Sequence, residues 1–235
     1  MKPGKIAIIG AGPIGGILAA HLLSAGHQVL LVDSWKEHID HIRKHGLRIH
    51  GREEMLARPE HLYESAAELG GIMPEFVFIC TKACYTGKVL DALNDAVLKS
   101  KAVFISFQNG IDTERAIADH LGKDRVLRGV VSYAGVIMGP GEIRESFFAS
   151  NYLGWLVPGG EPACREAAEM LGESGIPTEV TGDIGRYAWR KTIYNTCTMA
   201  IAAVTGLNMR EMLEFPPTAR LADLLLAESI AVAAA

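Results

Sequence analysis

The sequence predicts an α/β domain followed by an all-helical domain. Short apolar runs at residues 5–9, 27–33 and 76–80 have the length and composition of strands that are buried on both faces of a parallel sheet. Segments with the period of amphipathic helices lie between these runs, so strands and helices alternate along the chain. The alternation then gives way to a continuous helical pattern. We therefore predict an α/β domain over residues 1–182 and the start of an all-helical domain, incomplete at its end, over residues 183–235.

The first strand leads into the glycine-rich stretch "GAGPIGG" and then into a helix and a second strand. This unit of strand, turn, helix and strand fits within about 30 residues, as a Rossmann-type dinucleotide-binding domain requires. Gly10 permits the tight turn, Gly12 allows the backbone to approach a pyrophosphate, and Gly15 allows the helix to pack closely on the strand. The helix N-terminus adds unpaired N–H groups and a partial positive charge. The predicted cofactor-binding residues of this turn are Gly10, Gly12, Pro13, Ile14 and Gly15.

Asp33 follows the second strand, about 20 residues beyond the glycines, where a carboxylate would accept hydrogen bonds from the adenosine ribose. A 2′-phosphate would meet like charge there, and only Lys36 and Arg43 nearby could offset the repulsion. Asp33 therefore favours NAD(H) as the cofactor. The same position is a common turn site, so a solvated loop aspartate is the alternative interpretation.

Three polar residues follow later strands of the predicted sheet. Thr81 and Lys82 come after the run "FVFIC", and Asn109 comes after "KAVFISF". In open α/β sheets ligands bind outside the carboxyl ends of the strands, so these residues are predicted to lie beside the cofactor and the substrate. Further along the chain, "GVIMGPGEIRESF" and "NYLGWLVPGG" predict an antiparallel ribbon at the far edge of the domain.

Composition excludes several classes of function. The 235 residues carry a net charge of −4 without a basic block, so no nucleic-acid partner is predicted. No apolar stretch reaches the roughly 20 residues that span a bilayer, and the chain enters its first strand without a charged leader. We therefore expect a cytoplasmic protein with no membrane partner. The four cysteines and eight histidines show no metal-ligand spacing, and no metal is predicted.

Lys191 and Asn195 lie four residues apart in the helical segment "DIGRYAWRKTIYNTCTMAIAAVTG" and so share one helix face. Most of their neighbours suit burial, and buried polar groups need partners. A cationic lysine opposite a nicotinamide could donate a hydrogen bond to a substrate carbonyl and then a proton to the alkoxide. On spacing alone, a lysine whose stem packs while its head reaches water is an equal interpretation.

Taken together, these motifs resemble the ketopantoate reductase family. The resemblance covers the chain from Lys5 to its end and is carried by "GAGPIGG", "TKA" at residues 81–83, "QNG" at residues 108–110, "GEI" from Gly141 and "WRKTIYN" at residues 189–195. It implies a Rossmann domain followed by a helical domain, with the active site in the cleft between them. It also implies reduction of 2-dehydropantoate to pantoate by hydride from NADPH, so NADP(H) is the cofactor that the family suggests.

The resemblance assigns roles to residues of this sequence. Lys191 would be the general acid, and Asn109 and Asn195 would bind the substrate or order the nicotinamide end of the site. Lys82 would lie near the phosphates of the cofactor. The predicted catalytic residues are therefore Lys191, Asn109 and Asn195, and the predicted partner is a small 2-keto acid.

The sequence departs from the family pattern at three places. Met199 stands where a second asparagine usually follows on the same helix face, and a thioether cannot replace the donor and acceptor of an amide. Asp33 stands where an arginine commonly pairs with the 2′-phosphate of NADP. The chain also stops inside an apparent helix, without counterparts of the family's later serine and catalytic glutamate, and Glu228 lies too early to replace that glutamate. The apolar faces of the C-terminal helical segments then predict exposed patches and a homodimer.

Two alternatives to ketopantoate reduction stay open on the sequence. Asp33 and Met199 favour an NAD-dependent 2-hydroxyacid dehydrogenase of the same fold that acts on another substrate. The absent C-terminal helices favour a dinucleotide-binding sensor without turnover. A protein that binds the cofactor and reduces nothing would support the sensor.

Overall fold

The computed structural model describes residues 4–235, so the first three residues of the predicted N-terminal domain lie outside the described residues. The strands of this part of the chain are β1 (Lys5–Ile9), β2 (Gln28–Val32), β3 (Leu47–His50), β4 (Met55–Ala57), β5 (His61–Tyr63), β6 (Phe76–Ile79), β7 (Val103–Ser106), β8 (Val126–Val130), β9 (Tyr133–Gly139), β10 (Glu142–Phe148), β11 (Asn151–Trp155) and β12 (Thr178–Val180). Its α-helices are α1 (Pro13–Ser24), α2 (Lys36–His45), α3 (Thr86–Ala92), α4 (Asp95–Leu98), α5 (Arg115–Leu121), α6 (Glu161–Glu173), α7 (Ile184–Thr205), α8 (Met209–Glu214) and α9 (Pro216–Ala234). The chain forms two compact units, the first ending at Ile184 and the second beginning at Gly185.

The main sheet of the first unit has eight strands in the order β12-β11-β8-β7-β6-β1-β2-β5. Neighbouring strands are parallel except for β8 and β11. The chain runs outward from β1 through β2 on one side and through β6, β7 and β8 on the other, so the strand order reverses between β1 and β6. Doubly wound sheets bind their ligands at such a reversal. The sheet confirms the predicted Rossmann-type α/β fold.

The side chains of the central strands alternate between two apolar layers. In β1, Ile6 and Ile8 pack into the layer that contains α1 and α6, whereas Ala7 and Ile9 face the layer of α3, α4 and α5. Helices therefore cover both faces of these strands. This burial on both sides is why the strands appear in the sequence as continuous apolar runs rather than as alternating patterns.

A second sheet of four strands, in the order β4-β3-β10-β9, packs against α1. The strands β9 and β10 form the antiparallel ribbon that the sequence predicts. The stretch "NYLGWLVPGG" does not belong to this ribbon, because its first half forms β11 in the main sheet, antiparallel to β8 and parallel to β12. That part of the prediction is wrong, and the reason lies in the buried Asn151. Its side chain accepts from the N–H of Ser132 at 2.7 Å and donates to the carbonyl of Pro177 at 3.1 Å, which fixes the start of β11 between two distant segments.

Helix α1 is buried along most of its length because both sheets contact it. Its sequence is apolar on all sides, as expected for a helix without a solvated face. At Gly16 a Cβ atom would press on Cδ1 of Ile143 in β10, so an added methyl group would require the end of that side chain to shift. The second sheet therefore depends on the same helix as the glycine-rich turn.

The second unit contains α8, α9 and nearly all of α7. Asn208 begins α8 with a capping box, in which Asn208 and Glu211 each bind the other's backbone N–H. Thr218 in the first turn of α9 donates to the carbonyl of Met212 at 2.6 Å, so the two short helices are linked. The exposed apolar side chains of α9 are Leu221, Leu224, Leu226, Ile230 and Val232. Within residues 4–235, no helix has the length and hydropathy that a membrane crossing needs.

Candidate functional site

The glycine-rich turn sits at the carboxyl end of β1, and two of its glycines are sterically required. Gly10 has φ +104°, and a Cβ there would lie 2.9 Å from the backbone nitrogen of Thr81. A Cβ on Gly15 would lie only 1.9 Å from the carbonyl oxygen of Gly10. Gly10 therefore permits the turn next to β6, and Gly15 permits α1 to pack directly on the turn.

Gly12 is different, because a Cβ there would meet nothing within 4 Å. It caps the N-terminus of α1, which begins at Pro13 and has no acidic residue in its first turn. Open space in front of a positively polarised helix end is what a pyrophosphate needs. The turn therefore fits a dinucleotide, with Gly12 and Ile14 at the half-buried mouth of the cradle.

Asp33 lies directly after β2 and is held against this turn. Its Oδ2 accepts from the N–H of Ala11 at 2.7 Å, and its Oδ1 accepts from the N–H of Trp35 at 2.9 Å. Asp33 is half-buried, and the indole of Trp35 beside it is exposed. The carboxylate thus has a fixed orientation next to the glycine-rich turn.

The two cations near Asp33 are paired with other carboxylates. Nζ of Lys36 lies 2.8 Å from Glu64 and 3.3 Å from Asp40, and Arg43 also pairs with Asp40. All four partners are substantially exposed, so each pair adds little to stability. Their charges are nevertheless already balanced, which leaves less positive potential to offset Asp33.

His38 is buried next to the turn and is not among the residues that the sequence predicts for the site. Its Nδ1 accepts from the N–H of Gly141 at 3.0 Å, so Nε2 carries the proton and donates to the carbonyl of Ala11 at 3.0 Å. Burial lowers the pKa of His38, which favours this neutral form. Its spacing of one helical turn from the buried Ile42 is the signal that places it on the inner face of α2.

The loops after β6 and β7 meet through Gln108. Its Nε2 donates to the carbonyl of Thr81 at 2.9 Å and to the hydroxyl of Thr86 at 3.0 Å. Thr81 also lies next to Gly10. The loops after β1, β6 and β7 therefore share the carboxyl edge of the sheet at the point where the strand order reverses. Lys82 and Asn109 are exposed at this edge. The fold thus brings together the residues of the first unit that the sequence predicts for the site.

Lys191 and Asn195 lie in α7, in the second unit, and both are half-buried. Burial lowers the pKa of Lys191, and its Nζ lies 5.9 Å from the centroid of the Tyr194 ring. The hydroxyl of Tyr194 donates to the sulfur of Met209 at 3.2 Å, which fixes the ring. Met199, one turn beyond Asn195, is 62% exposed. The helix therefore presents a lysine, an amide and a thioether at successive turns.

Metal-ligating side chains do not converge in the described part of the chain. Among residues 4–235, no group of three His, Cys, Asp or Glu side chains could hold a metal ion. The cysteines are unpaired, and burial raises the pKa of Cys164 to about 11, so this thiol stays protonated at neutral pH.

The sequence matches the family described as "Ketopantoate reductase PanE/ApbA" over residues 6–156, and the C-terminal domain of the same family over residues 183–235. The chain belongs to the ketopantoate reductase family. This match confirms the resemblance that the motifs carry, and with it an oxidoreductase with a nicotinamide cofactor.

The chain is also similar to individual curated proteins and to a solved structure. The 2-dehydropantoate 2-reductase of Lactococcus lactis subsp. lactis is 28% identical over 97% of this chain and 73% of that protein. The enzyme of the same name from Pyrococcus horikoshii is 29% identical over 85% of this chain, which spans 64% of that relative's length. The ternary structure of D-mandelate dehydrogenase with NADH and anilino(oxo)acetate superposes with a TM-score of 0.89 at 26% identity, covering 98% of this chain and 73% of that one.

Substitution of two glycines separates packing from cofactor binding. Gly15→Ala should lower the free energy of unfolding by about 3 kcal/mol, because its methyl group overlaps the Gly10 carbonyl. Gly12→Ala should change that free energy by less than about 0.5 kcal/mol. It should nevertheless weaken NADH binding at least about tenfold, because the methyl group would stand where the pyrophosphate approaches. Urea unfolding measures the first effect, and calorimetric titration with NADH measures the second. Unchanged NADH affinity in Gly12→Ala would contradict the prediction that the pyrophosphate binds at Gly12.

Proposed function

We propose that this chain reduces the 2-keto group of a small keto acid, in the first place 2-dehydropantoate, with a nicotinamide cofactor. The observation that carries the proposal is the match to the ketopantoate reductase family over residues 6–156 and 183–235. Two relatives named 2-dehydropantoate 2-reductase support the substrate. The open face at Gly12 and the fixed carboxylate of Asp33 support the cofactor.

The environment of Asp33 supports NAD(H) over NADP(H). A carboxylate can accept hydrogen bonds from both ribose hydroxyls, but it repels a 2′-phosphate. Lys36 and Arg43, which could offset that repulsion, are paired with Glu64 and Asp40. We therefore assign NAD(H) as the preferred cofactor, although the family as a whole suggests NADP(H).

Each predicted site residue has a distinct task in this reaction. When bound, the nicotinamide cofactor supplies the hydride that reduces the keto carbon. Lys191 donates a hydrogen bond to the keto oxygen, stabilises the negative charge that develops there, and then transfers a proton to that oxygen. Asn195 orients the same oxygen or the carboxylate of the substrate. Asn109 orders the nicotinamide end of the site, and Lys82 and Thr81 lie on the cofactor side, where Lys82 offsets phosphate charge.

A second candidate is the reduction of a bulkier, more apolar 2-keto acid by NADH. Met199 favours it, because a thioether suits an apolar substituent better than the amide that usually stands there. The similarity to D-mandelate dehydrogenase, whose solved complex holds NADH and anilino(oxo)acetate, points in the same direction. This candidate shares the role of Lys191 and differs only in what the substrate carries beside its keto group.

Steady-state oxidation of NADH with two substrates distinguishes the candidates. We expect kcat/KM for 2-dehydropantoate to exceed that for phenylglyoxylate by more than about tenfold, since a well-matched pocket gains roughly this much from a few contacts. The reverse order would establish the second candidate. Cofactor binding without reduction of either keto acid would indicate a dinucleotide sensor instead.

Removal of the ammonium group of Lys191 should abolish most of the reduction. In Lys191→Ala, kcat/KM should fall about 1,000-fold, because both the proton donor and the charge are lost. NADH affinity should stay within about twofold. In the unmodified chain kcat/KM should fall as pH rises through the pKa of Lys191, which burial holds below its ordinary value of 10.5, and the variant should lack this limb. The exposed neighbour Arg190, replaced by alanine, is the control, and equal losses in both variants would argue against a general acid at Lys191.

Neutralisation of Asp33 should shift the cofactor preference. In Asp33→Asn the ratio of the NADPH to the NADH dissociation constant should fall at least about tenfold, because the like-charge repulsion of the 2′-phosphate is removed. The exposed Asp119, replaced by asparagine, changes the net charge equally and should leave the ratio unchanged. Calorimetric titration with each cofactor gives both constants, and an unchanged ratio in Asp33→Asn would exclude Asp33 from cofactor discrimination.

A further inference from the structure

A buried guanidinium binds the turn that carries Asn109. Arg128 lies in the middle of β8, and its side chain is 3% exposed. Its Nη1 donates to the carbonyl of Gln108 at 2.8 Å and to the hydroxyl and carbonyl oxygens of Ser106 at 3.2 and 3.3 Å. Its Nη2 donates to the carbonyl of Gly110 at 2.8 Å. One side chain thus holds every second carbonyl from residue 106 to residue 110.

Stability alone does not explain why a cation is buried here. Glu114 supplies a carboxylate whose Oε2 lies 3.3 Å from Nε of Arg128, but neither atom has a hydrogen-bond partner in the described part of the chain. Burial lowers the pKa of Arg128, and the charge of Glu114 opposes this effect. Buried ion pairs can often be replaced by apolar side chains of similar volume without loss of stability. The guanidinium therefore calls for a role that an apolar side chain could not fill.

The bonds of Arg128 fix the backbone on both sides of Asn109. Its two neighbours, Gln108 and Gly110, each give their carbonyl to the guanidinium. Gly110 has φ +121°, a conformation that side chains rarely adopt, so the turn has a defined and unusual shape. The side chain of Gln108 is bound to the loop of Thr81. Asn109 itself is exposed.

We propose that Arg128 is a positioning residue, which holds the backbone of Gln108 and Gly110 so that the amide of Asn109 faces the nicotinamide half of the cofactor. The inference rests on the role that the proposed function gives to Asn109. The planar fork of a guanidinium suits this task because its N–H groups reach carbonyls in several fixed directions. The ammonium of a lysine is a compact group with three rotatable donors and lacks this fixed planar geometry.

Arg125 provides a control next to the same strand. It lies just before β8, at the opposite end of the sheet from the site, and also binds backbone carbonyls. Its Nη1 donates to Leu98 at 2.7 Å, and its Nε and Nη2 donate to Ala102 at 3.3 and 3.2 Å. A substitution there removes similar hydrogen bonds without touching the turn of Asn109. The comparison separates general destabilisation from a local effect.

Amide hydrogen exchange of the cofactor-free chain tests the positioning itself. Arg128→Lys should raise exchange in residues 107–113 at least about tenfold, because the carbonyls of the turn lose their common donor. Arg125→Lys should leave this segment unchanged. If Arg128→Lys does not fold, the double variant Arg128→Met with Glu114→Gln replaces it, since it leaves no unpaired buried charge. Unchanged exchange at 107–113 in the folded variant would overturn the proposal.

Binding then tests the consequence for Asn109. ADP-ribose lacks the nicotinamide, so the ratio of its dissociation constant to that of NADH reports on the nicotinamide half alone. Arg128→Lys should lower this ratio about tenfold, with ADP-ribose affinity within about twofold of the unmodified chain. Arg125→Lys should leave both the ratio and the ADP-ribose affinity unchanged. In an Asn109→Ala background the further effect of Arg128→Lys on the ratio should vanish, because both substitutions remove the same contact.

The outcomes separate this inference from the proposed function. An unmodified chain that binds NADH no better than ADP-ribose would refute the role of Asn109, and the hydrogen exchange would still decide whether Arg128 fixes the turn. An unmodified chain with a clear preference for NADH, combined with an unchanged ratio in Arg128→Lys or with additive losses in the Asn109→Ala background, would refute Arg128 as a positioning residue. Equal losses in Arg128→Lys and Arg125→Lys would reduce Arg128 to a contributor to stability.

Discussion

The close packing of α1 on the turn after β1 is the constraint on which the first unit depends. Only glycine at position 15 allows the helix to approach the Gly10 carbonyl, and at position 16 the end of the Ile143 side chain in β10 packs directly on the helix. The helix N-terminus is therefore held at the carboxyl edge of the main sheet, while the rest of the helix is enclosed by both sheets. A larger side chain at position 15 would disturb the cradle and the core together.

Polar side chains at this edge fall into two groups with different physical tasks. The buried ones bind backbone: His38 joins Ala11 to Gly141, Gln108 binds Thr81, and Arg128 binds the turn that follows β7. The exposed ones, among them Lys82 and Asn109, are the side chains to which the proposed function assigns ligand contacts. Loops that carry function need this kind of support, because short loops have little apolar surface of their own to bury. The rigidity of the edge thus comes from side-chain hydrogen bonds to main-chain groups.

The parts of the fold that were predictable from sequence are those with local signals. Apolar runs and the spacing of Gly10, Gly12 and Gly15 are enough for the Rossmann-type sheet and its turn. The pairing of the two halves of the second sheet has no such signal, because β3 pairs in parallel with β10, and Arg48 meets Glu142 far along the chain. Likewise the sequence of β11 indicates a strand but does not indicate which of the two sheets it joins. The bonds of Asn151 to Ser132 and Pro177 select its place, and those bonds exist only in the folded chain.

The same limit explains why the supporting residues of the site were harder to predict than its contact residues. Lys191 and Asn195 share a helix face, and periodicity alone reveals this. Arg128 sits in the apolar run "VLRGVV", where a charged residue resembles an edge position facing water rather than a buried anchor. Its partners are carbonyls of a neighbouring strand and turn, and backbone groups carry no sequence signature. A buried arginine must nevertheless find hydrogen-bond acceptors. Where the order of strands in the sheet predicts that an arginine is buried, that prediction also indicates that the arginine binds backbone carbonyls nearby.

Two of the three departures from the family pattern, Asp33 and Met199, lie in different units. Asp33 belongs to the first unit, where its carboxylate is bound by the N–H groups of Ala11 and Trp35 and its neighbouring cations are paired elsewhere. Met199 belongs to the second unit, one turn beyond Asn195. The proposed function gives Asp33 a task toward the cofactor and places Met199 beside the substrate, so each position bears on the choice of a different ligand. A preference for NADH is therefore not a reason to infer a different keto acid, and the substrate must be argued from the helix that carries Lys191, Asn195 and Met199.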